Sequence, residues 1–335
     1  MVQAPIEKKS ANNSSVNTDE LKQKIEEIYN LPFPELIFQA QTIHREFHNS
    51  NEVQFCTLSN IKSGACPEDC GYCSQSAHHK TESEVYGLMN IEEVLKEAKE
   101  AKDNGATRFC MGAAWRSAPD NYQFENVLEM VRSVKEMGME PCVTLGMLKK
   151  DQAEKLKEAG LHSYNHNIDT SPEHYENVIS TRTFDDRLET IQYVQEAGIN
   201  VCCGGILGLG ETKADRISFI ASLAKLDPQP GSVPINVLAP IPGTPLYEQG
   251  VTNPVDNFEV IRTIATSRIM MPKAQVRLSA GRLEMSDEMQ SLCFIAGANS
   301  IFSGDKLLTT DNPESSKDFQ LIEKLGMTRR VKAEI

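Results

Sequence analysis

The feature that most constrains the fold is a repeated alternation of helical and strand-like segments. Apolar residues recur at helical spacing in residues 91–101 and 124–134. Each of these segments ends near a glycine, Gly105 or Gly138, and a short apolar run follows. Eight such runs along the chain are predicted as strands: residues 53–59, 107–112, 140–145, 161–168, 199–206, 233–239, 275–280 and 298–302.

Eight strands separated by helices predict an α/β fold with a parallel sheet. At 335 residues, closure into a (β/α)8 TIM-type barrel with an N-terminal helical extension is the natural solution. A doubly wound sheet is disfavoured because the glycine run 205–210 has the wrong spacing for a nucleotide fingerprint and comes late, and no Walker loop occurs. We expect a flexible polar tail at 1–20, a single barrel domain at 21–328 and a frayed C-terminus at 329–335.

Charge and cysteine usage narrow the functional classes. Asp and Glu total 47 against 34 Lys and Arg, a net charge of −13, and no basic stripe is interleaved with aromatics, so nucleic acid is an unexpected partner. Neither a membrane-spanning run nor an export signal is predicted. Nine cysteines in such a chain disfavour a disulfide framework, which predicts a cytoplasmic protein that uses thiols for metal binding or catalysis.

Three of the cysteines form a compact C-x3-C-x2-C run, Cys66, Cys70 and Cys73. Gly64 and Gly71 would let this loop curl around an inorganic centre. Three thiolates on a four-iron cluster leave one iron open to bind a small molecule, which indicates catalysis rather than electron transfer alone.

The loop by itself leaves other interpretations open. The Cys70 and Cys73 pair could be a redox couple or half of a zinc knuckle. His78 or His79 could complete a Cys3His zinc site.

A second group lies at similar depth in the predicted strands, four or five positions after a helix-ending glycine or proline: Cys110, Cys142, Cys202 and Arg277. In a closed barrel such side chains can converge in the lumen. They could hold a smaller iron–sulfur cluster, with Arg277 as fourth ligand or as balancing charge. The alternative is that these cysteines are ordinary apolar core residues. The remaining thiols, Cys56, Cys203 and Cys293, are interpreted as structural.

The fourth predicted strand ends in a polar stretch. Alternation places Asn165, Asn167 and Asp169 on one face, where they could bind hydroxyls or an amide or urea group. An equally simple interpretation is a solvated loop with Asp169 or Thr170 as a helix cap.

Longer phrases carry a family resemblance. Residues 30–328 resemble the biotin synthases, a family of the radical S-adenosylmethionine superfamily, through GACPEDCGYCSQS, TRFCMGAAWR, YNHNIDTSP, TRTFDDRLETI, GGILGLGET, SVPIN, VRLSAGR and ANSIF followed by LLTT. Lipoyl synthase and other relatives share the first motif, whereas the strand cysteines and VRLSAGR point to this family. The loop at 239–244 and the N-terminal tail depart from the pattern or have no assigned role.

The resemblance implies cofactors and the residues that hold them. The loop cysteines would bind a [4Fe-4S] cluster whose open iron is chelated by S-adenosyl-L-methionine, and the strand group a [2Fe-2S] cluster. The remaining cofactor contacts would be the adenine at Tyr72 and Ile206, the ribose at Asp169 and Asn167, and the methionine carboxylate at Arg187.

The substrate implied is dethiobiotin. Asn165 and Asn236 would help hold its ureido ring, Asn167 would bridge the substrate and the ribose, and Thr309 and Thr310 would bind its carboxylate. A sulfurtransferase reaction follows: a reduced flavodoxin or ferredoxin supplies electrons, a 5′-deoxyadenosyl radical removes hydrogen, and the small cluster donates sulfur to form biotin. Relatives form homodimers. The alternatives are another radical S-adenosylmethionine barrel enzyme, or a non-catalytic iron–sulfur or zinc protein.

Overall fold

Two helices precede the barrel in the computed structural model, which describes residues 18–253 and 255–331. They are α1 (Thr18–Tyr29) and α2 (Phe33–Phe47), the N-terminal extension expected from the sequence. Helix α1 includes residues 18–20, which we had assigned to the tail. Residues 1–17, the rest of that predicted tail, lie outside the described residues.

The predicted (β/α)8 barrel is confirmed. Its strands are β1 (Glu52–Lys62), β2 (Arg108–Ala113), β3 (Glu140–Thr144), β4 (Ser163–Asn165), β5 (Asn200–Cys202), β6 (Gly205–Leu207), β7 (Ser232–Val237), β8 (Gln275–Leu278) and β9 (Ser300–Phe302). Neighbouring strands pair in parallel, and β1 pairs with both β2 and β9, which closes the sheet.

One predicted strand, residues 199–206, is divided into β5 and β6. Both pair with β7, through Cys202 opposite Ser232 and Gly205 opposite Ile235. Between these pairs β7 carries Pro234, which has no N–H to donate to a neighbouring strand. The ladder therefore breaks at this point.

Helices connect the strands and cover the outside of the barrel. They are α3 (Ile91–Asp103), α4 (Tyr122–Glu136), α5 (Lys150–Glu158), α6 (Phe184–Glu196), α7 (Lys213–Ala224), α8 (Pro245–Glu248), α9 (Asn257–Met270), α10 (Asp287–Ile295) and α11 (Ser315–Lys324). Gly105 and Gly138 follow α3 and α4 with φ of +83° and +81°, as expected for glycines that end helices. Helix α1 packs on α7, and α2 packs on α9.

Short strands complete the chain. Strands β10 (Lys306–Leu307) and β11 (Thr310–Asp311) form an antiparallel hairpin near the mouth of the barrel. Strand β12 (Thr328–Arg329) pairs with β1, so regular structure continues past our boundary at residue 328. Residues 332–335, the end of the predicted frayed segment, lie outside the described residues.

Alternation along the strands separates two environments. Outward residues such as Phe55, Phe109 and Val143 pack with the helices in one apolar core. Inward residues are largely polar or sulfur-containing, so the lumen differs in chemistry from the core. Within the described part of the chain, every helix is too short or too polar to cross a bilayer.

Candidate active site

The three-cysteine loop follows β1 at the carboxyl end of the barrel strands, where such barrels carry their active sites. Gly64 turns the chain with φ of +70°, in the left-handed region that favours glycine. The Gly71 amide donates to the carbonyl of Val178 at 2.8 Å, and the carbonyl of Gly71 accepts from Leu246 at 3.0 Å. A Cβ at Gly71 would lie 3.3 Å from that Val178 oxygen, so the loop packs closely on the segment before α6.

The loop thiols are largely withdrawn from water. Burial raises the pKa of Cys70 to about 12 and that of Cys73 to about 11, and it also raises the pKa of Cys66. A metal ligand must be deprotonated, so a nearby cation assists binding. Arg182 supplies it, with Nη2 3.9 Å from Cys70 Sγ.

Arg182 was missed in the sequence analysis. It is held by Glu68, whose Oε2 lies 3.7 Å from Arg182 Nε. The available signal was an arginine directly before Thr183, the residue that caps α6.

Neither histidine of the zinc interpretation turns toward the thiols. His78 Nε2 donates to the carbonyl of Pro67 and His79 Nε2 to that of Cys70, both at 3.0 Å. Among the described residues, no three or more His, Cys, Asp or Glu side chains are close enough to hold a single metal ion.

The strand group predicted from depth lies together in the lumen. Cys110 and Cys142 are direct register partners on β2 and β3. Arg277 Nη1 donates to Cys202 Sγ at 3.6 Å, while Arg277 Nε donates to Ser300 Oγ at 2.9 Å. All four side chains of the group are buried.

The three lumen thiols share hydrogen bonds. Bonds from Cys142 lower the pKa of Cys110 and Cys202 and raise the pKa of Cys142 itself. Burial opposes the charge on Arg277, but the facing thiols, Cys56 first among them, hold its pKa above the usual value. The lumen therefore brings three interacting thiols together with a fixed cation.

Cys56, which we interpreted as a structural thiol, lies on the lumen side of β1, with Sγ 3.6 Å from Ser300 Oγ. In the sequence analysis, the depth of a strand residue was estimated from the glycine that ends the preceding helix. No such glycine precedes β1, so the depth of Cys56 could not be estimated in this way. Cys203 and Cys293 do lie in the apolar core, and all nine cysteines are free.

A polar layer closes the lumen beneath the thiols. Arg108 pairs with Glu140, Nη2 to Oε2 at 2.9 Å, and its Nη1 donates to Ser232 Oγ at 2.8 Å. Gln54 Nε2 donates to the same Glu140 oxygen at 3.1 Å. These groups therefore satisfy one another's hydrogen-bonding capacity below the thiols.

The polar stretch after β4 forms a connected shelf above the thiols. Asn165 Nδ2 donates to Asn167 Oδ1 at 3.2 Å and lies 3.3 Å from Cys202 Sγ. Asp169 has φ of +65°, unusual for a residue with a side chain. Its carbonyl accepts from Ile206 N at 2.8 Å, across Gly205, where a Cβ would lie 2.4 Å from that carbonyl oxygen.

Asp169 and Arg187, which were predicted to contact different parts of the cofactor, form an ion pair with each other. The Arg187 guanidinium donates to the Asp169 carboxylate, and its Nε donates to the Tyr175 hydroxyl at 2.9 Å. Both members of the pair are buried. Because each has further polar atoms, the pair can still present a cation and an acceptor to a ligand.

Polar groups of the residues predicted to bind substrate already form hydrogen bonds within the protein. Asn236 Nδ2 donates to the carbonyl of Gly205 at 2.9 Å, and its Oδ1 accepts from Ala280 N at 3.1 Å. Thr309 and Ser74 share a hydrogen bond of 2.7 Å, which ties the β10–β11 hairpin to the cysteine loop. Thr310 Oγ1 donates to the carbonyl of Leu307.

A single cavity of about 320 Å³ connects these groups. Every site residue predicted from the sequence lines it: Cys66, Cys70, Tyr72, Cys73, Cys110, Cys142, Asn165, Asn167, Asp169, Arg187, Cys202, Ile206, Asn236, Arg277, Thr309 and Thr310. Among the described residues, Arg277 Nη2 is buried without a hydrogen-bond partner. A guanidinium with one nitrogen unsatisfied among thiols fits an anionic iron–sulfur centre, and three loop thiols fit a second one.

Comparisons with known proteins identify the family of this chain. The Radical SAM superfamily model matches residues 60–223, and the Biotin and Thiamin Synthesis associated domain matches residues 234–328. The chain is 60% identical over 307 residues to a biotin synthase of Legionella pneumophila, covering 92% of this chain and 96% of the relative. It is 59% identical over 304 residues to a biotin synthase of Gloeobacter violaceus, covering 91% and 95%.

The fold is also similar to that of a solved methylornithine synthase. The TM-score is 0.76 at 19% identity, covering 94% of this chain and 98% of that one. At this identity the likeness concerns the fold alone.

Proposed function

The chain belongs to the biotin synthase family of radical S-adenosylmethionine proteins, and we propose that it inserts sulfur into dethiobiotin to form biotin. The observation that carries the proposal is one cavity lined by two separate groups of three cysteines. One group lies at the mouth and the other in the lumen. A bound substrate between them would be within reach of both.

The groups that bind here would supply the demanding chemistry: a four-iron cluster with S-adenosyl-L-methionine supplies a 5′-deoxyadenosyl radical, and a two-iron cluster supplies sulfur. Cys66, Cys70 and Cys73 would hold the first cluster. Arg182, beside Cys70, would stabilise their thiolates.

S-adenosyl-L-methionine would lie along the shelf. The Arg187 guanidinium is suited to its carboxylate, and the paired Asp169 holds that cation in place while offering an acceptor to the ribose. Asn167 would reach both the ribose and the substrate. Tyr72 and Ile206 line the cavity where the adenine would pack.

Cys110, Cys142, Cys202 and Arg277 would hold the two-iron cluster. The Arg108–Glu140 layer beneath them would keep water and competing thiols from this centre. Protein groups thus position the sulfur source and protect it before the reaction.

Dethiobiotin would span the remaining space. Asn165, beside Cys202, would hydrogen-bond the ureido ring, and Asn236 would orient the same wall by fixing β6 against β7. The hydroxyls of Thr309 and Thr310 would receive the carboxylate. Their hairpin is linked to the cysteine loop through Ser74, so substrate binding would connect both ends of the site.

The wider proposal concerns partners and organisation. We infer a reduced flavodoxin or ferredoxin as electron donor, a homodimer as the assembled form and the cytoplasm as the location, which nine unpaired thiols support. Residues 21–328 would act as one unit, because the closed sheet draws strands from both segments that match family models.

The direct test uses labelled sulfur. The protein is reconstituted anaerobically with iron and ³⁴S-sulfide, supplied with S-adenosyl-L-methionine, dethiobiotin and reduced flavodoxin, and the biotin is examined by mass spectrometry. We expect labelled biotin from the wild type and from Cys293→Ala, a buried cysteine remote from the lumen, and none from Cys142→Ala. Release of 5′-deoxyadenosine without biotin would instead favour another radical enzyme of this fold.

A further inference from the structure

A fourth cysteine, Cys56, shares the lumen layer of the proposed two-iron site. Side chains from alternate strands of a (β/α)8 barrel form layers of four across the lumen. The alternate strands β1, β3, β5 and β8 contribute the set that we call the cysteine layer: Cys56, Cys142, Cys202 and Arg277.

Strand register establishes this layer without reference to any ligand. Each member is the register partner of an inward residue on the strand before it, and the relation repeats four times around the barrel: Phe302 with Cys56, Cys110 with Cys142, Asn165 with Cys202, and Pro234 with Arg277. Equal tilt of the strands places residues related in this way at one height. Cys56 therefore occupies the fourth corner, and Cys110 lies in the layer above.

Contacts place Cys56 beside Arg277. Cys56 Sγ lies 3.6 Å from Ser300 Oγ, and the same hydroxyl accepts from Arg277 Nε at 2.9 Å. Both residues are fully buried, and Arg277 Nη2 has no hydrogen-bond partner within the described part of the chain. A fourth thiol is thus linked through Ser300 to a guanidinium that has one nitrogen unsatisfied.

We propose that Cys56 is a reserve ligand of the two-iron cluster, replacing Arg277 on its iron; this inference rests on the proposed function. In the exchange the iron–nitrogen bond breaks, an iron–sulfur bond forms, and the thiol proton passes to the departing guanidine. No electron is transferred. Thiolate is a favourable ligand for iron–sulfur clusters, and the guanidinium formed balances the added negative charge.

The role follows from the reaction itself. Donation of a bridging sulfur removes a ligand from the cluster, and iron with an open position in a narrow lumen is easily lost. A thiol already in the layer could bind at that open position and retain the iron. Arg277 alone could not both bind the iron as a ligand and remain the charged counter-ion of the cluster.

The test compares cluster content in reconstituted full-length protein, without substrate. Arg277→Met should keep most of the two-iron Mössbauer signal, as should Arg277→Met/Cys293→Ala, the matched control. Arg277→Met/Cys56→Ala should lose it by about tenfold or more, equivalent to about 1.4 kcal/mol per tenfold. Equal two-iron content in Arg277→Met and Arg277→Met/Cys56→Ala would overturn the assignment.

A second measurement does not depend on folding of the double variant. If Arg277 ligates iron in the wild type, its two irons have different ligand sets and should give two quadrupole doublets. In Arg277→Met the Cys56 thiolate should make the sites alike, and the doublets should merge; persistent inequivalence would overturn the proposal. A wild type with no two-iron signal would instead refute the proposed function.

Discussion

Gly205→Ala tests the construction of the proposed S-adenosyl-L-methionine site with a single methyl group. The added Cβ would lie 2.4 Å from the carbonyl oxygen of Asp169 and 2.6 Å from Phe219 Cε2. Ordinary contact begins near 3.4 Å, so the backbone of Asp169 must move by about 1 Å. That shift would displace the carboxylate that holds Arg187.

Two magnitudes follow from this displacement. Overpacking of this kind costs about 1–3 kcal/mol of folding stability. A misplacement of about 1 Å in a positioned site can slow a reaction by about 10²-fold. We therefore expect 5′-deoxyadenosine formation to fall by about 10²-fold, with weaker S-adenosyl-L-methionine binding.

Gly87→Ala is the matched control. Nothing lies within 4 Å of a Cβ at Gly87, and its φ is outside the left-handed region. Thermal unfolding, equilibrium binding and product release would be measured on both variants. If Gly205→Ala lost stability but bound and cleaved S-adenosyl-L-methionine like Gly87→Ala, Asp169 would not belong to the nucleotide site.

Three further predictions use other contacts. Arg187→Lys should weaken S-adenosyl-L-methionine binding about tenfold in calorimetry, because a single ammonium nitrogen cannot reproduce the planar fork that reaches Tyr175 and Asp169 from separate nitrogens and also bind a carboxylate; unchanged affinity would contradict this. Arg282→Met would leave the buried Asp318 without its ion-pair partner and should lower the free energy of unfolding, measured in urea, by about 3–5 kcal/mol. Arg132→Met, at an exposed ion pair, should lower it by under about 1 kcal/mol. Burial opposes ionisation of Asp69, but hydrogen bonds from Ser180 and Thr181 lower its pKa from 3.8 to about 2. This stabilisation, about 1 kcal/mol for a partly exposed group, is present above pH 4 and lost toward pH 2, so the melting-temperature difference from Asp69→Asn should shrink over that range.

Much of the fold and of the candidate site could be predicted from the sequence because the relevant patterns are local. Helical and strand periodicities, with glycines such as Gly105 ending the helices, predicted the eight strands and their closure. The spacing of Cys66, Cys70 and Cys73 indicated a cluster loop. Similar distances from helix-ending glycines brought Cys110, Cys142 and Cys202 into one hypothesis.

The tertiary structure decided what periodicity leaves undetermined. Alternation tells which face a strand residue occupies, but its height in the lumen depends on the tilt and register of the closed sheet. This is why the contact of Cys56 with Ser300, the pairing of Asp169 with Arg187 and the approach of Arg182 to Cys70 were not foreseen. Such contacts join residues distant in the chain, and only barrel closure brings them together.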